Sequence, residues 1–352
     1  MLKGFAILDE VKNTNEEVIY KSMNTKNRVR SCLGWVGKIL LGILALFLGL
    51  ICFGLVREAV TRNKYRAELP PPGKMINLPT HDIHLNCVGT GTPTVVFEAD
   101  LDQYGSLSWD SVQGEVGQLT RACSYDRAGI LWSDPGPRPR DGETIAEELA
   151  AILDTAGEKG PYVMVGHAFG GAYVRIFAGQ NPEDVCGMVL IDSSHPDMLT
   201  RFAELGFQKE IPEERLRPLI WLLSHLGMPE RFSGPRYGLS DQIYTTQQAY
   251  IPKSSLAWFD ESAASPITLA QSGMYENFGD LPLVVISHAD STSAQDENQK
   301  AEDFWLELQQ DLTNLSENSE FRPLPGVGHY IQYERPDVVI DAIEEVILQC
   351  RK

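Results

Sequence analysis

The segment YVMVGHAFGGAYVRIF, residues 162–177, places an apolar strand, a turn of small residues and a helix in direct succession. Gly166 and Gly170 stand two residues before and two residues after Ala168, which allows the chain to turn sharply around it. A turn of this kind presents its central side chain above the end of a strand. The segment therefore requires a sheet whose strands lead directly into packed helices.

The rest of the chain from Met75 onward also alternates short apolar runs with helical patterns, which is typical of βα units and a mostly parallel sheet. Helical spacing of apolar residues recurs over 145–153 and 339–347. The fold class predicted is therefore α/β, with helices flanking the sheet. The strand candidates are 83–88, 94–99, 123–127, 162–167, 188–192, 282–288 and 321–324.

One stretch, at about 193–280, interrupts the alternation because it is poor in strand-like runs. Helix-like pieces appear in it around 214–226. An insertion of this size between two strands of a sheet predicts a helical cap over whatever the strand ends present.

An uninterrupted apolar run, ILLGILALFLGLICFGLV at 39–56, predicts a transmembrane helix. Eighteen residues at about 1.5 Å each span about 27 Å, close to the thickness of a bilayer's hydrocarbon core. A signal peptide and a buried core helix are the alternatives, but no small-residue cleavage site follows the run. The expected organisation is a polar tail of little structure (1–32), an anchor (33–57), a Pro-rich linker (58–74) and one domain (75–352).

Charge separates the two ends of the chain. The formal net charge is −18, yet residues 1–68 contain 11 basic and 6 acidic side chains, so the acidic excess lies in the domain. A domain this acidic is repelled by polyanions. Nucleic acid is therefore excluded as a partner.

Two candidate partners for the central position of the turn follow it along the chain. His329 lies in PGVGHYIQYERP, after the last strand candidate and before the final helix, where a catalytic base is expected. Asp290, in LPLVVISHAD, follows the preceding strand and is the favoured acid to orient the imidazole. Asp192, in MVLIDSSHP, is the alternative, unless it is a structural acid at a strand end.

These residues, with IHLNCVGTG, ACSYDRAG, WSDPGPRPR and GHAFGG, closely resemble the α/β-hydrolase superfamily and its membrane-anchored bacterial-type branch. The resemblance covers residues 75–350 and implies a doubly flanked sheet with a cap and no cofactor or metal. It implies ester, amide or epoxide hydrolysis and a small apolar ester-like or amide-like ligand. It also implies an oxyanion hole built from the N–H groups of Leu101 and Phe169, with His167 beside the elbow.

Three departures from the family pattern surround the expected site. Ala168 stands where the family has its nucleophilic serine, and Asp100 and Asp102 stand where it has glycines. Ile130 and Leu131 replace an expected Tyr-Gly pair. Loss of a serine nucleophile costs on the order of 10⁶ in turnover in a well-studied protease. A carboxylate about 5 Å from a developing oxyanion adds roughly 3 kcal/mol to the barrier at an effective dielectric near 20.

Three functions are compatible with this pattern. The favoured one is a catalytically impaired pseudo-hydrolase that binds a small apolar ligand or a protein partner. The alternative is a serine hydrolase of esterase, lipase or amidase type in which Ala168 is an engineered replacement of the serine. The least favoured is a metal site or carboxylate nucleophile built from Asp100, Asp102 and His329.

The fold that the resemblance implies also predicts a disulfide and a membrane orientation. Its second strand lies antiparallel beside its fourth, so Cys87 and Cys123 are expected to face each other and form a disulfide; two buried free thiols are the alternative. The basic residues on the two sides of the apolar run are nearly balanced. The resemblance then implies a single-pass protein with a cytoplasmic N-terminus and an extracytoplasmic domain.

Overall fold

The computed structural model describes residues 3–206, 211–226, 239–289 and 296–352. The chain divides into two units, residues 1–59 and residues 60–352. The first unit is helical, and the second contains the sheet, both disulfides and the candidate site.

A single long helix, α1, runs over Lys3–Glu68. Its part Trp35–Glu68 is long and apolar enough to cross a membrane, with a mean hydropathy of 2.9 over its most apolar stretch. Two expectations are corrected here. The described part of the tail, from Lys3 onward, is helical, and the helix continues to Glu68, into the first part of the linker at 58–74. The physical reason is the absence of a breaker: no proline occurs before Pro70, and 57–68 is rich in Arg, Lys, Glu and Ala.

The second unit is built on one eight-stranded sheet with the order β1-β2-β4-β3-β5-β6-β7-β8. The pairs β1–β2 and β2–β4 are antiparallel, and all other neighbours are parallel. The strands are β1 Lys74–Asn77, β2 Asp82–Val88, β3 Thr94–Glu98, β4 Arg121–Tyr125, β5 Tyr162–His167, β6 Val185–Ile191, β7 Leu283–His288 and β8 Ser319–Leu324.

Helices connect the strands. They are α2 Gln113–Leu119, α3 Gly142–Ala156, α4 Gly170–Gln180, α5 Met198–Glu204, α6 Arg217–His225, α7 Asp241–Ser272, α8 Asp296–Asp311, α9 Ile331–Glu334 and α10 Pro336–Cys350. Short 3-10 helices occur at Gly105–Trp109, Glu214–Leu216 and Leu312–Leu315. Among the described residues between β6 and β7, all regular structure is helical.

The central strands are buried on both faces. Every residue of β3 and β5 is buried because helices cover both sides of the sheet, as in other parallel sheets. One apolar core packs α3 and α4 against the sheet, and the other packs α2 and α10 against the opposite face. The sheet is therefore a rigid platform, and its strand ends carry the candidate site.

The seven strand candidates correspond to β2–β8, with boundaries that differ by at most three residues. The largest difference is at β6, which begins at Val185 rather than Met188. The sequence analysis missed β1 because its four residues follow the proline-rich stretch directly and bury one side chain, Ile76. An edge strand this short has almost no alternating pattern from which to predict it.

Both disulfides of the structure lie in the second unit. Cys87 and Cys123 are directly paired residues of β2 and β4, and their sulfurs are bonded. The second disulfide, Cys186–Cys350, joins β6 to the last residue of α10 and was not foreseen. The four cysteines after residue 59 are therefore all paired.

We expect alkylation of the unreduced full-length protein to leave these four cysteines unmodified and to modify them only after reduction. Mass mapping of the unreduced digest should recover the two linked peptide pairs. A cross-link that closes a loop of 36 residues stabilises a fold by about 4 kcal/mol in the chain-entropy model. Cys87→Ser with Cys123→Ser should therefore lower the melting temperature, and free thiols at these positions in the unreduced protein would contradict the pairing.

Candidate functional site

The turn between β5 and α4 is a tight elbow around Ala168. Ala168 has a φ of 48°, a left-handed conformation that costs a non-glycine residue on the order of 1 kcal/mol. A Cβ on Gly170 would lie 2.3 Å from the carbonyl oxygen of Glu98, and one on Gly166 would lie 2.7 Å from the carbonyl oxygen of Gly170. Only glycine fits at either position, so the elbow geometry persists although its central side chain is a methyl group.

The imidazole of His329 follows β8 and lies beside the elbow. Its Nδ1 donates a hydrogen bond to Oδ2 of Asp192, at 2.5 Å. Asp192 follows β6 and is fully buried. Asp192, the alternative acid, is therefore the hydrogen-bond partner of His329. Asp290, the favoured acid, lies outside the described residues.

Asp192 accepts four further hydrogen bonds. His288 reaches its Oδ2 through Nδ1 at 2.7 Å and its Oδ1 through the backbone N–H at 3.3 Å. The indole Nε1 of Trp305 and the hydroxyl of Ser287 donate to Oδ1 at 2.7 and 3.1 Å. A buried carboxylate with this many donors is held in its ionised form and in one orientation.

The carboxylate of Asp100 occupies the expected oxyanion hole. Its Oδ1 accepts the backbone N–H of Leu101 at 2.6 Å and that of Phe169 at 3.0 Å. These are the two N–H groups that the sequence analysis assigned to an oxyanion. They converge on one oxygen atom, and that oxygen belongs to the protein itself.

The other oxygen of Asp100 faces His329. Oδ2 lies 3.9 Å from Nε2 of His329, and the side chain of Asp100 is 17% exposed. The imidazole therefore stands between two carboxylates, Asp192 on its Nδ1 side and Asp100 on its Nε2 side.

The pKa values in this cluster favour a charged imidazole. Burial lowers the pKa of His329, but the carboxylates of Asp100 and Asp192 outweigh burial and raise it to about 10. Burial raises the pKa of Asp100 and of Asp192, yet contact with His329, and for Asp192 also with His288, holds both well below the usual range. At neutral pH the cluster contains an imidazolium between two carboxylates.

Two neighbours of the cluster remain outside this ion pairing. Burial and the Asp100 charge raise the pKa of Asp102 to about 7, and its Oδ1 accepts the backbone N–H of Tyr104. Burial and then the charge of His329 lower the pKa of His167 to about 4. The neutral His167 donates from Nε2 to the carbonyl oxygen of His329 at 2.9 Å, which fixes the loop that carries the imidazole.

Arg127 fixes the backbone of the Asp100 loop. Its guanidinium donates to the carbonyl oxygens of Ala99 at 2.9 Å and Asp100 at 2.6 Å. It also pairs with Glu98 at the end of β3 and with Glu261 of α7, at 2.7 and 2.9 Å. All three charged side chains are buried. This arginine thus ties the loop to the strand beneath it and to the long helix between β6 and β7.

A cavity of about 350 Å³ opens above Ala168. Asp100 and His329 supply its charged groups, and the remaining lining is largely apolar. That lining consists of Leu101, Ala168, Phe169, Ser194, Met198, Ile211, Pro212, Trp258, Ser262 and Trp305.

Among the described residues, Asp192, His288 and His329 have ligand atoms close enough to share a metal ion. The separations of 2.5 and 2.7 Å between Asp192 Oδ2 and the two imidazole nitrogens are hydrogen-bond distances. Ligand atoms around tetrahedral zinc are about 3.3 Å apart, as Zn–N bonds of about 2.0 Å require. The arrangement fits shared protons better than a shared ion.

Sequence reasoning missed four residues of the site. Arg127 lies in the quoted ACSYDRAG segment, but no role was assigned to it. His288, Trp305 and Glu261 come from elements far apart in the chain, and no local pattern indicates that they meet. A basic residue two positions after the end of β4, in a domain with a large acidic excess, was the one signal available for Arg127.

A match to a protein-family model decides which family the chain belongs to. The model that matches residues 89–342 is described as the alpha/beta hydrolase family. This chain belongs to the alpha/beta hydrolase family. The match covers most of the chain and includes the elbow, the Asp100 loop, Asp192 and His329.

Three similar proteins share between 17% and 30% of the aligned residues with this chain. The uncharacterized protein YqjL of Bacillus subtilis is 27% identical over 260 residues, covering 73% of this chain and 85% of YqjL. An uncharacterized vacuolar membrane protein of Saccharomyces cerevisiae is 30% identical over 139 residues, covering 35% of this chain and 22% of that protein. A thermophilic esterase from Thermogutta terrifontis has a similar structure, with a TM-score of 0.58 and 17% identity over 80% of this chain and all of the esterase.

Because the pKa of His329 is raised, its charge stabilises the folded hydrolase domain most at low pH. The contribution is complete below the unfolded pKa of about 6.5 and is lost as the pH rises to about 10. We expect the melting temperature of His329→Gln to fall below that of the unmodified protein, by a margin that narrows from pH 6 to pH 10. His225→Gln, in α6, is the control: burial lowers the pKa of His225, so its margin should not narrow. A margin for His329→Gln that does not change with pH would contradict the charged imidazole.

Proposed function

We propose that this protein is a membrane-anchored member of the alpha/beta hydrolase family that has lost serine-type acyl transfer and binds a small apolar ligand above Ala168. The observation that carries the proposal is the carboxylate of Asp100 in the oxyanion hole. An acyl hydrolase needs those two N–H groups for the tetrahedral intermediate.

Loss of the serine and loss of the oxyanion hole reinforce each other. Ala168 supplies no oxygen to attack an acyl carbon, and Oδ1 of Asp100 occupies the position where the developing oxyanion would bind. Each missing oxyanion-hole donor costs about 10² to 10³ in turnover. Restoring a hydroxyl at position 168 therefore does not restore acyl transfer, because the carboxylate of Asp100 still occupies both N–H donors of the oxyanion hole.

The cavity supports ligand binding. Its 350 Å³ lie within the usual range for small-molecule sites, and its lining is mostly apolar with two charged groups at one end. The opposing charges of Asp100 and His329 favour an uncharged ligand with one polar end. A small ester or amide fits this description.

The alternative is a serine hydrolase in which alanine was substituted for the elbow serine alone. Asp100 counts against it, since a single substitution at 168 does not explain a carboxylate that fills the oxyanion hole and pairs with His329. Restoring the serine distinguishes the two proposals.

We expect the unmodified protein neither to hydrolyse p-nitrophenyl butyrate nor to react with a fluorophosphonate probe. Ala168→Ser alone should recover little of either activity. Ala168→Ser combined with Asp100→Gly and Asp102→Gly should exceed the single variant by at least about 10³-fold, because both N–H donors are released. Robust activity of Ala168→Ser alone would favour the alternative, and labelling of the unmodified protein would indicate a different nucleophile, such as Ser194 in the cavity.

Binding without hydrolysis is measured separately. Phenyl acetate should raise the melting temperature of the unmodified protein, since a ligand that binds only the folded state stabilises it. The ester should be recovered intact. The absence of any shift with several small esters and amides would contradict the ligand-binding half of the proposal.

The anchor orientation is the second part of the proposal: a cytoplasmic N-terminus and an extracytoplasmic domain. Two disulfides in residues 60–352 support it, because such bonds persist mainly in oxidising compartments. The long apolar helix and the resemblance to a vacuolar membrane protein support membrane attachment.

Protease treatment of intact cells that express the full chain should therefore remove the domain and leave the N-terminal tail protected. A cytosolic marker protein must stay intact in the same sample. Protection of the domain with digestion of an N-terminal epitope would reverse the orientation.

A further inference from the structure

We propose that a second cavity of the hydrolase domain binds a small amino acid as its zwitterion, with the ligand's carboxylate on Arg175 and its ammonium group at Asp197 and Glu276. This Arg175 cavity has a volume of about 330 Å³. None of these three residues lines the cavity above Ala168. The polar lining of the Arg175 cavity consists of Arg175, His195, Asp197, Glu276, Asp311 and Asn314.

The Arg175 cavity lies between elements on one side of the sheet. Helix α4 supplies the arginine, and the loop after α7 and the end of α8 supply acidic side chains. The loop between β6 and α5 forms a further wall through residues 195–197. Ser194 and Met198, which flank that stretch, line the cavity above Ala168. The two cavities therefore have different linings and share one loop.

Arg175 differs from the other buried arginines in the part of the chain that the structure describes. Three arginines are buried there, and Arg175 is 6% exposed. Arg127 pairs with two glutamates, and Arg140 pairs with Glu148 at 2.6 Å. Arg175 forms no ion pair with a described residue, and its one side-chain hydrogen bond goes to a backbone carbonyl. Because buried charges are normally paired, this guanidinium lacks the counter-charge that a ligand would supply.

The terminal nitrogens of Arg175 open into the cavity. Its Nε donates to the carbonyl oxygen of Tyr275 at 2.7 Å, which fixes the plane of the guanidinium. Nη1 and Nη2 donate to no described residue, yet neither nitrogen is sealed from solvent. The side chain lines the cavity and is otherwise buried, so these N–H groups face the cavity. Parallel N–H groups of this kind match the two oxygens of a carboxylate.

The electrostatics of Arg175 favour an anionic group beside it. Burial lowers the pKa of Arg175 to about 10, although the charges of Glu276, Asp311 and Asp197 oppose the effect of burial. The guanidinium is therefore charged at neutral pH, in surroundings that disfavour its charge. A carboxylate in direct contact would favour the charged form and offset the cost of burial.

Two carboxylates stand at the open side of the cavity. Asp197 and Glu276 are exposed, whereas Arg175 is buried. Neither carboxylate accepts a hydrogen bond from a described residue. Acidic side chains on a surface are usually just solvated, so they indicate a ligand only together with the buried cation behind them. The cavity thus has its cation at the inner end and its anions at the outer end.

His195 adds no positive charge to the cavity. Burial lowers its pKa, so the imidazole is neutral at neutral pH. The backbone N–H of Asp197 donates to Nδ1 at 3.1 Å. The proton is therefore on Nε2, which donates to Oδ2 of Asp311 at 3.0 Å. Asn314 donates to the other oxygen of Asp311 at 2.8 Å, so this third carboxylate is already engaged within the protein.

The charges select a zwitterion over a simple ion. Phosphate or a dicarboxylate would be attracted by Arg175 and repelled by three carboxylates, and an amine would meet the guanidinium at the inner end. An amino acid places one charge of each sign where the cavity has the opposite sign. Leu312 and Leu315 are buried and supply an apolar wall, which suits a short alkyl side chain.

The test measures binding to purified full-length protein in detergent by isothermal titration calorimetry, with L-alanine as the probe. Propionate and ethylamine each keep one charged end of alanine and should bind at least about tenfold more weakly. Propionate that binds as tightly as alanine would overturn the role of the outer carboxylates. Ethylamine that binds as tightly would overturn the role of Arg175. No binding of glycine, L-alanine or L-valine at millimolar concentrations would overturn the site.

Variants of the inner end test the guanidinium. Arg175→Gln should weaken alanine binding by at least about tenfold, because it removes a charge-assisted pair of hydrogen bonds. Arg175→Lys keeps the charge without the paired N–H groups and should bind with intermediate affinity. Unchanged affinity in a folded Arg175→Gln protein would overturn the assignment.

Variants of the outer end remain decisive even where the buried arginine cannot be replaced without unfolding. Glu276→Gln and Asp197→Asn should each weaken alanine binding by about two- to fivefold, as expected for exposed charge pairs. Glu344→Gln and Asp341→Asn make the same changes at exposed positions of α10 and should leave the affinity unaltered. Equal affinities for all four variants would overturn the proposed orientation of the ligand.

One further variant distinguishes the two cavities. Trp258 lines the cavity above Ala168 and not the Arg175 cavity. Trp258→Ala should therefore weaken phenyl acetate binding and leave alanine binding unchanged. Loss of alanine binding in Trp258→Ala, with normal binding in Arg175→Lys and Glu276→Gln, would place the amino acid above Ala168 and overturn the proposal.

Discussion

The site depends on one interaction, the capture of the Asp100 carboxylate by the N–H groups of Leu101 and Phe169. One of these donors comes from the loop after β3 and the other from the first turn after β5, so the carboxylate connects two neighbouring strand ends. The same pair of N–H groups that would bind a transient oxyanion in a serine hydrolase here binds a permanent anion. Everything else in the site is arranged around that charge: the imidazolium beside it, the second carboxylate behind the imidazole, and the arginine that holds its backbone.

Arg127 explains how a loop without the expected glycines keeps the required shape. Its contacts with Ala99 and Asp100 carbonyl oxygens fix the backbone just before the captured carboxylate. Because the same guanidinium pairs with Glu261 of α7, the helix between β6 and β7 is coupled to the loop through one buried group. Removing either partner of a buried ion pair typically costs 3 to 5 kcal/mol. The position of the cavity wall and the position of the carboxylate are therefore not independent.

The sequence was sufficient for seven of the eight strands and for the elbow, because local patterns encode them, and the family resemblance supplied the two N–H donors. Gly166 and Gly170 illustrate this, because their positions exclude any Cβ. It was not sufficient for the acid on His329: Asp192 and Asp290 both follow strands, and only the folded chain shows Asp192 within reach. The helix before the apolar run was missed because that polar segment has no sustained periodicity, and the Cys186–Cys350 disulfide was missed because 164 residues separate its halves.

The backbone conformation of the elbow indicates that its surroundings hold the turn in place. Ala168 has a left-handed φ of 48° although its methyl side chain cannot act as a nucleophile. Strain of this kind persists only where the surroundings fix it. The surroundings here are the close approach of Gly170 to the carbonyl oxygen of Glu98 and the hydrogen bond from Phe169 N–H to Asp100. A turn that relaxed to an ordinary φ would withdraw that N–H, and the Asp100 carboxylate would then be buried with one donor fewer. The strained turn is thus retained for the donor that follows Ala168 rather than for the side chain of Ala168.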